Sequence, residues 1–402
     1  MIHKFSLKNF YSFKDENEVS FVVDKNAPKT NSYVKSAFDV RINKTAAVLG
    51  ANASGKTNLL RALPFLSWFI RDSFSLKPNK TIYYNEVVNV EQFLFTKNDT
   101  NPINISVQFE IEKEVYKYNL CFATDRVVFE ELRIKKEKRF NKLFKREWEK
   151  RNKKYDFELS NYKLPTDFEK VLKDDASVIS TANMFGHQLS VKIVKYWNNL
   201  IFNIAEFFEQ SDYNLYNAAE FFYGNSKAKE KADKLLLQFN LGLNKIEIRE
   251  LKHKNSKEKN FYIPVGLHKI KNIEKKFFLP LFRESRGTQN LFSLLEPILK
   301  VLDSGGMLVL DEFDADLHPQ MIPELVNLFN SKIYNPKNAQ LLFSTHSLQI
   351  LNELDKYQIF FTEKGDDGAS EVWRLDDIKG VRPDDNYYAK YISGAYGAVP
   401  NI

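Results

Sequence analysis

The eight residues Gly50-Ala51-Asn52-Ala53-Ser54-Gly55-Lys56-Thr57 constrain the fold more than any other feature of this chain. They match G-x-x-x-x-G-K-[ST], with the apolar run TAAVL at 45–49 before them and a helical pattern from Thr57 to about Phe74 after them. A buried strand, a glycine-hinged turn and a helix, in that order, gather backbone N–H groups around an anion. The glycines permit the turn, Lys56 can reach β- and γ-phosphates, and the Thr57 hydroxyl can coordinate Mg²⁺. Gly50, Asn52, Ser54, Gly55, Lys56, Thr57 and Asn58 are therefore the candidate nucleotide-binding residues of this loop. By itself the loop specifies only an NTPase. Pro64, inside the helical pattern, should bend the helix.

A second motif supplies the acids that such a loop needs. Met307-Leu308-Val309-Leu310 is an apolar strand ending in Asp311-Glu312, and parallel sheets place ligands at that C-terminal end. Asp311 would hold Mg²⁺ through water, and Glu312 would polarise the attacking water as a general base. The turn Phe313-Asp314-Ala315-Asp316-Leu317-His318-Pro319 follows. Gln340–Ser344 is a further buried strand, ending in Thr345-His346. A histidine at that strand end can reach the γ-phosphate and report its presence.

The rest of the chain reads as two halves of one core around an insertion. KFSLKNF and EVSFVV suggest two short N-terminal strands, and residues 103–135 alternate apolar and polar as antiparallel strands do. From about Asp167 to Phe239, through VKIVKYWNNLIFNIAEFF, the period looks helical; IEIREL and FYIPVGL return to strands. NLFSLLEPILKVL, GMLVLDEF, MIPELVNLFN, AQLLFSTH and YQIFFTEK then alternate helix and strand, which predicts a mostly parallel sheet. The expected divisions are residues 1–130, an N-terminal lobe with the phosphate loop; 131–276, a basic mixed insertion; and 277–402, a C-terminal lobe with the remaining motifs. The 402 residues, 43% apolar and 14% aromatic, support a sizeable core.

One cysteine, Cys121, leaves no disulfide framework and fits a reducing cytosol. MIHKFSLKNF lacks the apolar centre of a secretory signal, and no apolar run approaches the roughly 20 residues of a membrane span. A soluble, cytoplasmic protein without membrane contact is expected. The net charge of +7 is uneven: residues 133–154 hold twelve Lys/Arg against three Glu, and residues 251–276 hold eight Lys against two Glu. Setting those surpluses of nine and six aside leaves the remainder at −8. Such segments can bind DNA, RNA or an acidic partner. Phe140, Phe144 and Trp148 punctuate the first segment at a spacing of four, which suits one helix face.

GANASGKT, the Ser285-Arg286-Gly287-Thr288 turn, MLVLDEFDADLHP and FSTHS together resemble the ABC-type ATPases, in the RecF, SMC and OLD-like branch. The resemblance implies an α/β fold: an ABC-ATPase head, that is a P-loop NTPase with a mixed sheet and helices on both faces, carrying an inserted β-hairpin and helical subdomain. In that family the Ser-x-Gly turn caps the γ-phosphate of ATP bound by a second protomer, head to tail. Ser285, Gly287, Thr288 and Asp314 would thus contribute to a site shared by two copies, in a homodimer or larger homo-oligomer. Glu312 and His346 would be its catalytic residues. The family's Q-loop glutamine, a further metal contact, has Gln92 as candidate, against a plain surface glutamine.

LKNFYSFKDENEVSF, DDASVISTANMFGHQ, ESRGTQNLF and YISGAYGAVPNI narrow the resemblance to AAA family ATPases of bacterial abortive-infection and anti-phage operons, such as the first component of AbiL-type systems. Relatives of this kind often act with a separate Toprim-like or RloB-like effector. The implied function is an ATP-hydrolysing, nucleotide-switched dimer that senses or scaffolds in phage defence. The alternative is a RecF-like repair or recombination ATPase acting on nucleic acid directly. With 56 residues after His346, no room is expected for the C-terminal Toprim domain of the OLD nucleases.

Overall fold

A computed structural model describes residues 1–25, 27–75, 90–96, 101–123, 125–204, 214–239, 241–251, 260–269 and 275–400. The chain opens with β1 (Ile2–Lys8) and β2 (Asn17–Ser20), then β3 (Val22–Val23), β4 (Tyr33–Lys35) and β5 (Arg41–Asn43), the last three forming a small sheet of order β3-β5-β4. β6 (Thr45–Leu49) leads through the glycine loop to α1 (Lys56–Leu60) and α2 (Ala62–Asp72), parted at Arg61. Arg61 keeps helical angles between them, and Pro64, in the first turn of α2, has no N–H to give the Leu60 carbonyl, so the interruption falls where a proline inside a helix places it.

β7 (Ile103–Ile111), β8 (Glu114–Phe122), β9 (Val127–Lys136), β10 (Arg139–Glu149) and β11 (Lys154–Leu159) follow as antiparallel hairpins. With β1 and β2 they make a seven-stranded sheet of order β11-β10-β9-β8-β7-β1-β2. The alternation in INISVQFEI buries Ile103, Ile105, Val107, Phe109 and Ile111 on one face. The first basic segment is a β-hairpin: Arg139–Lys142 pair with Arg133–Lys136 across the β9–β10 turn. Residues 130 and 131 are neighbours within β9. The 130/131 division expected from sequence therefore falls inside a strand that bonds on both sides.

Next come α3 (Phe168–Val171), α4 (Val178–Met184), α5 (Gln188–Trp197), β12 (Leu200–Phe202), α6 (Leu215–Gly224) and α7 (Ser226–Gln238). The helical reading of VKIVKYWNNLIFNIAEFF needs correction here. The helix stops at Trp197, and Leu200–Phe202 is a strand lying parallel to Met307–Val309. Three apolar residues carry no period of their own, so only the pairing partner reveals the strand.

β13 (Lys245–Leu251), β14 (Phe261–Lys269) and β15 (Lys276–Pro280) form a three-stranded antiparallel sheet in that order. The remaining elements are α8 (Arg286–Ser304), β16 (Met307–Leu310), α9 (Met321–Asn330), β17 (Gln340–Ser344), β18 (Ile359–Lys364), β19 (Ser370–Arg374) and α10 (Tyr387–Ile392). The central sheet has the order β12-β16-β17-β6-β18-β19; its first five strands run parallel and β19 antiparallel. β6, from the N-terminal part of the chain, thus lies between β17 and β18 from the C-terminal part.

Successive residues of these strands serve two cores. Ala46, Val48, Met307, Val309, Leu342 and Phe360 join the core shared with α2 and the seven-stranded sheet. Ala47, Leu49, Leu308, Leu310, Phe343 and Phe361 join the core built with α6 to α9. Apolar cover on both faces explains why these strands read as unbroken hydrophobic runs. Among the described residues no helix is long and apolar enough to cross a membrane.

Candidate functional site

The parallel strands β6, β16 and β17 end together, and the sequence motifs sit at those ends. The loop after β6 needs its glycines. Gly50 has φ 153° and Gly55 φ 110°; an added Cβ would come within 2.2 Å of the Thr362 carbonyl and 2.5 Å of Ser370 Oγ respectively. Lys56 is buried, its ammonium donating to the carbonyls of Gly50 at 3.0 Å and Ala51 at 2.9 Å. Burial pushes that ammonium below the usual lysine pKa, while Asp311, Glu312 and Asp314 pull it back up. Ser54 Oγ lies 2.7 Å from Thr362 Oγ1, Asn58 donates to Ser12 Oγ at 3.0 Å, and Asn52 is exposed at the loop tip.

The acids are tied into the same place. Thr57 Oγ1 donates to Asp311 Oδ2 at 2.6 Å. Ser344 Oγ, fully buried at the end of β17, donates to Asp311 Oδ1 at 2.5 Å and accepts the Glu312 N–H at 2.8 Å. Asn203, just past β12, clamps the Asp311 backbone, donating to its carbonyl at 2.8 Å and accepting its N–H at 2.7 Å. Glu312 itself is exposed and has φ 49°, a left-handed conformation that costs a non-glycine residue energy. His346 is also exposed; its backbone N–H donates to the Asp314 carboxylate at 3.1 and 3.2 Å.

The Ser285 turn opens α8 as its N-cap: Ser285 Oγ accepts the Thr288 N–H at 3.3 Å and lies 2.9 Å from Thr288 Oγ1. A Cβ on Gly287 would stand 2.9 Å from the carbonyl of Asp316, and Asn290 donates to the carbonyl of Ala315 at 2.5 Å. The start of α8 and the Asp314–Asp316 loop of one chain therefore touch each other. Among the described contacts, the hydrogen bonds of Ser285 go to Thr288 and Gln289, none to the phosphate loop.

Gln92 is half-buried beside Phe93, whose N–H reaches Asn9 Oδ1 at 3.1 Å. No described hydrogen bond brings it to Thr57 or Asp311. No sequence motif marks Ser344 or Asn203 as part of the site. Ser344 lies within FSTHS, but only the fold turns a buried serine into a bridge between two acids; Asn203 lies in a segment whose pattern suggests a helix. Of the second basic segment, residues 252–259 and 270–274 lie outside the described residues.

The donor set fits Mg²⁺. Thr57 and Asp311 offer hard oxygen ligands a hydrogen bond apart. Among the described residues no group of three or more His, Cys, Asp or Glu forms a cage of its own. Mg²⁺ is ordinarily held this way, by one or two protein oxygens with substrate phosphates and water completing the shell.

A family model described as "AAA domain, putative AbiEii toxin, Type IV TA system" matches residues 46–352. None of the curated proteins matches the sequence. Among solved structures, the chain is similar to the SmcHead bound to the C-winged helix domain of ScpA, at 13% identity and a TM-score of 0.49, covering 93% of this chain and 97% of that one. It is also similar to the SMC head domain from Thermotoga maritima, at 13% identity and a TM-score of 0.43, covering 93% and 98%. Likeness that distant says nothing of activity or partners.

Proposed function

This chain belongs to the AbiEii-type AAA-domain family, whose model matches residues 46–352, and on that footing we propose that it is an ATPase switched by closure of two copies around ATP. The observation that carries the reading is the chain of hydrogen bonds from Thr57 through Asp311 and Ser344 to the Glu312 backbone. It unites the loop that would hold a triphosphate with the acid that would act on water.

Lys56 would leave the carbonyls of Gly50 and Ala51 for the β- and γ-phosphate oxygens. Thr57 and Asp311 would hold Mg²⁺, which supplies charge neutralisation on those phosphates. Glu312, on a backbone fixed by Ser344, would accept the proton of the attacking water. His346, placed through Asp314, would contact the γ-phosphate. Gln92 remains a proposed further metal contact by the family resemblance alone.

Ser285, Gly287, Thr288 and Asp314 would act on the nucleotide of a second copy. Two observations support that division: Ser285 bonds locally instead of to its own phosphate loop, and the α8 start and Asp314–Asp316 loop adjoin as one surface. The physiological role proposed is a cytoplasmic sensor or scaffold in phage defence that holds or releases a separate Toprim-like or RloB-like effector. Within it the proposed divisions remain an N-terminal lobe, a basic insertion and a C-terminal lobe. Phosphate release by the purified protein tests the enzymology: turnover in wild type and its loss in Glu312→Gln support the reading, whereas equal rates in both would remove Glu312 from it.

A further inference from the structure

The sheet β13–β14–β15 has two unlike faces. One carries Ile246, in the core with α6 and α7, and Tyr262, packed against it. The strand pairing puts Lys245, Glu247, Arg249, Leu251, Phe261, Lys276 and Phe278 on the other. There Phe261 is 59% exposed, Leu251 52% and Phe278 43%, and the Arg249 guanidinium lies 5.0 Å from the centre of the Phe278 ring. Lys245, Arg249 and Lys276 form no ion pair among the described residues.

Several cations of the β9–β10–β11 hairpins are committed by contrast. Arg133 is paired with Glu131, Lys142 and Lys145 with Glu158, and Arg146 is buried beside Glu130. The aromatic residues of the first basic segment, Phe140, Phe144 and Trp148, are buried or half-buried, whereas the small sheet sets cations with no described ion pair beside exposed rings of its own strands.

Rings stack on unpaired bases and cations take the intervening phosphates; a duplex, its bases already stacked, offers only the phosphates. Phe261 and Phe278 lie six residues apart in register, because Phe278 pairs with Leu267. At about 3.3 Å per residue that is about 20 Å, room for about four nucleotides.

The opposite face of the same strand reaches the ATP machinery. His268 Nε2 lies 2.7 Å from Glu284 Oε1, and Glu284 precedes Ser285. We propose that the outward face of β13–β14–β15 binds single-stranded nucleic acid and, through the His268–Glu284 contact, biases the Ser285 turn. Binding stands apart from the ATPase reading, while the bias rests on it.

The test is fluorescence anisotropy of the full-length protein with labelled oligo-dT and oligo-rU of about twelve nucleotides, against a blunt duplex of equal length. Single strands are expected to bind at least about ten-fold more tightly than duplex. Phe261→Ala/Phe278→Ala should lose at least about ten-fold, and Lys142→Glu/Lys145→Glu should change little. Unaltered thermal melting of these two variants shows that they fold. Lys56→Ala should still bind the oligonucleotides, which separates this claim from ATP binding. His268→Ala should keep oligonucleotide binding but lose any change in ATP turnover that the oligonucleotide causes in wild type. Equal affinity for duplex, or an unaffected double phenylalanine variant, overturns the proposal. So does a face that ignores oligonucleotides yet binds polyglutamate in an Arg249-dependent way, which would mark an acidic protein partner.

Discussion

The hydroxyl of Thr57 donates to the carboxylate of Asp311 across 2.6 Å, joining residues 254 positions apart. The contact exists because β6 is inserted between β17 and β18, so that the ends of β6 and β16 are separated only by β17. From it, and from the bonds that continue to Glu312, the following outcomes are expected.

Lys56→Ala should bind ATP at least about ten-fold more weakly, since a buried charge-assisted donor is lost. Equilibrium binding of a fluorescent ATP analogue measures this. The variant also leaves the buried Gly50 carbonyl and the Ala51 carbonyl without that donor, so its melting temperature should fall, and thermal melting is read alongside binding.

Ser344→Ala removes one donor to Asp311 and the acceptor of the Glu312 N–H. Turnover should fall by about ten- to a hundred-fold, as for other groups that orient metal-holding residues. ATP affinity, held mainly by Lys56, should change far less. Phosphate release and nucleotide binding on the same preparation distinguish a positioning role from simple unfolding.

Mixing separates sites within one chain from sites between two. Lys56→Ala and Ser285→Arg should each be inactive alone. In a mixed pair one site joins both lesions and the other joins the intact lysine loop to the intact serine turn. Equal mixing should then restore about a quarter of wild-type turnover, given random pairing into two-fold dimers. Lack of any recovery in a verified mixed oligomer argues for a one-chain site.

Glu130 is fully buried, accepting from Tyr118 and the Val178 N–H at the start of α4, with Arg146 3.8 Å away. Burial pushes its carboxyl up to about 7, against the opposing pull of Arg146 and those hydrogen bonds. The folded state therefore binds the proton more tightly than the unfolded chain does. The stability so gained is complete below the ordinary carboxyl range, about 4.5, and lost as pH rises through about 7. Melting temperature should decline across that window in wild type, and Glu130→Gln should flatten the decline.

The sequence made the phosphate loop, the acid-tipped strand and the Thr-His strand end legible because each combines a residue pattern with its flanking element. TAAVL before GANASGKT could hardly be anything but a buried strand. The partners that hold the site in shape were hidden for a different reason. Ser344 and Asn203 act through contacts made only when β12, β16 and β17 lie side by side, and LIF is too short to announce itself as a strand. In the basic run, the spacing of Phe140, Phe144 and Trp148 suits a helix face, while the family resemblance implies a β-hairpin. The pairing of Arg139–Lys142 with Arg133–Lys136 decides it. The emptier face of β13–β14–β15 was legible only as charge, since which cations are committed depends on their neighbours in space.

Light scattering of Glu312→Gln with and without ATP and Mg²⁺ puts the shared-nucleotide claim to its most direct test. A variant that binds ATP without hydrolysing it should pass from monomer to dimer as nucleotide saturates, and return when ATP is removed. A mass that stays monomeric at saturating ATP and Mg²⁺, with nucleotide demonstrably bound, would contradict it.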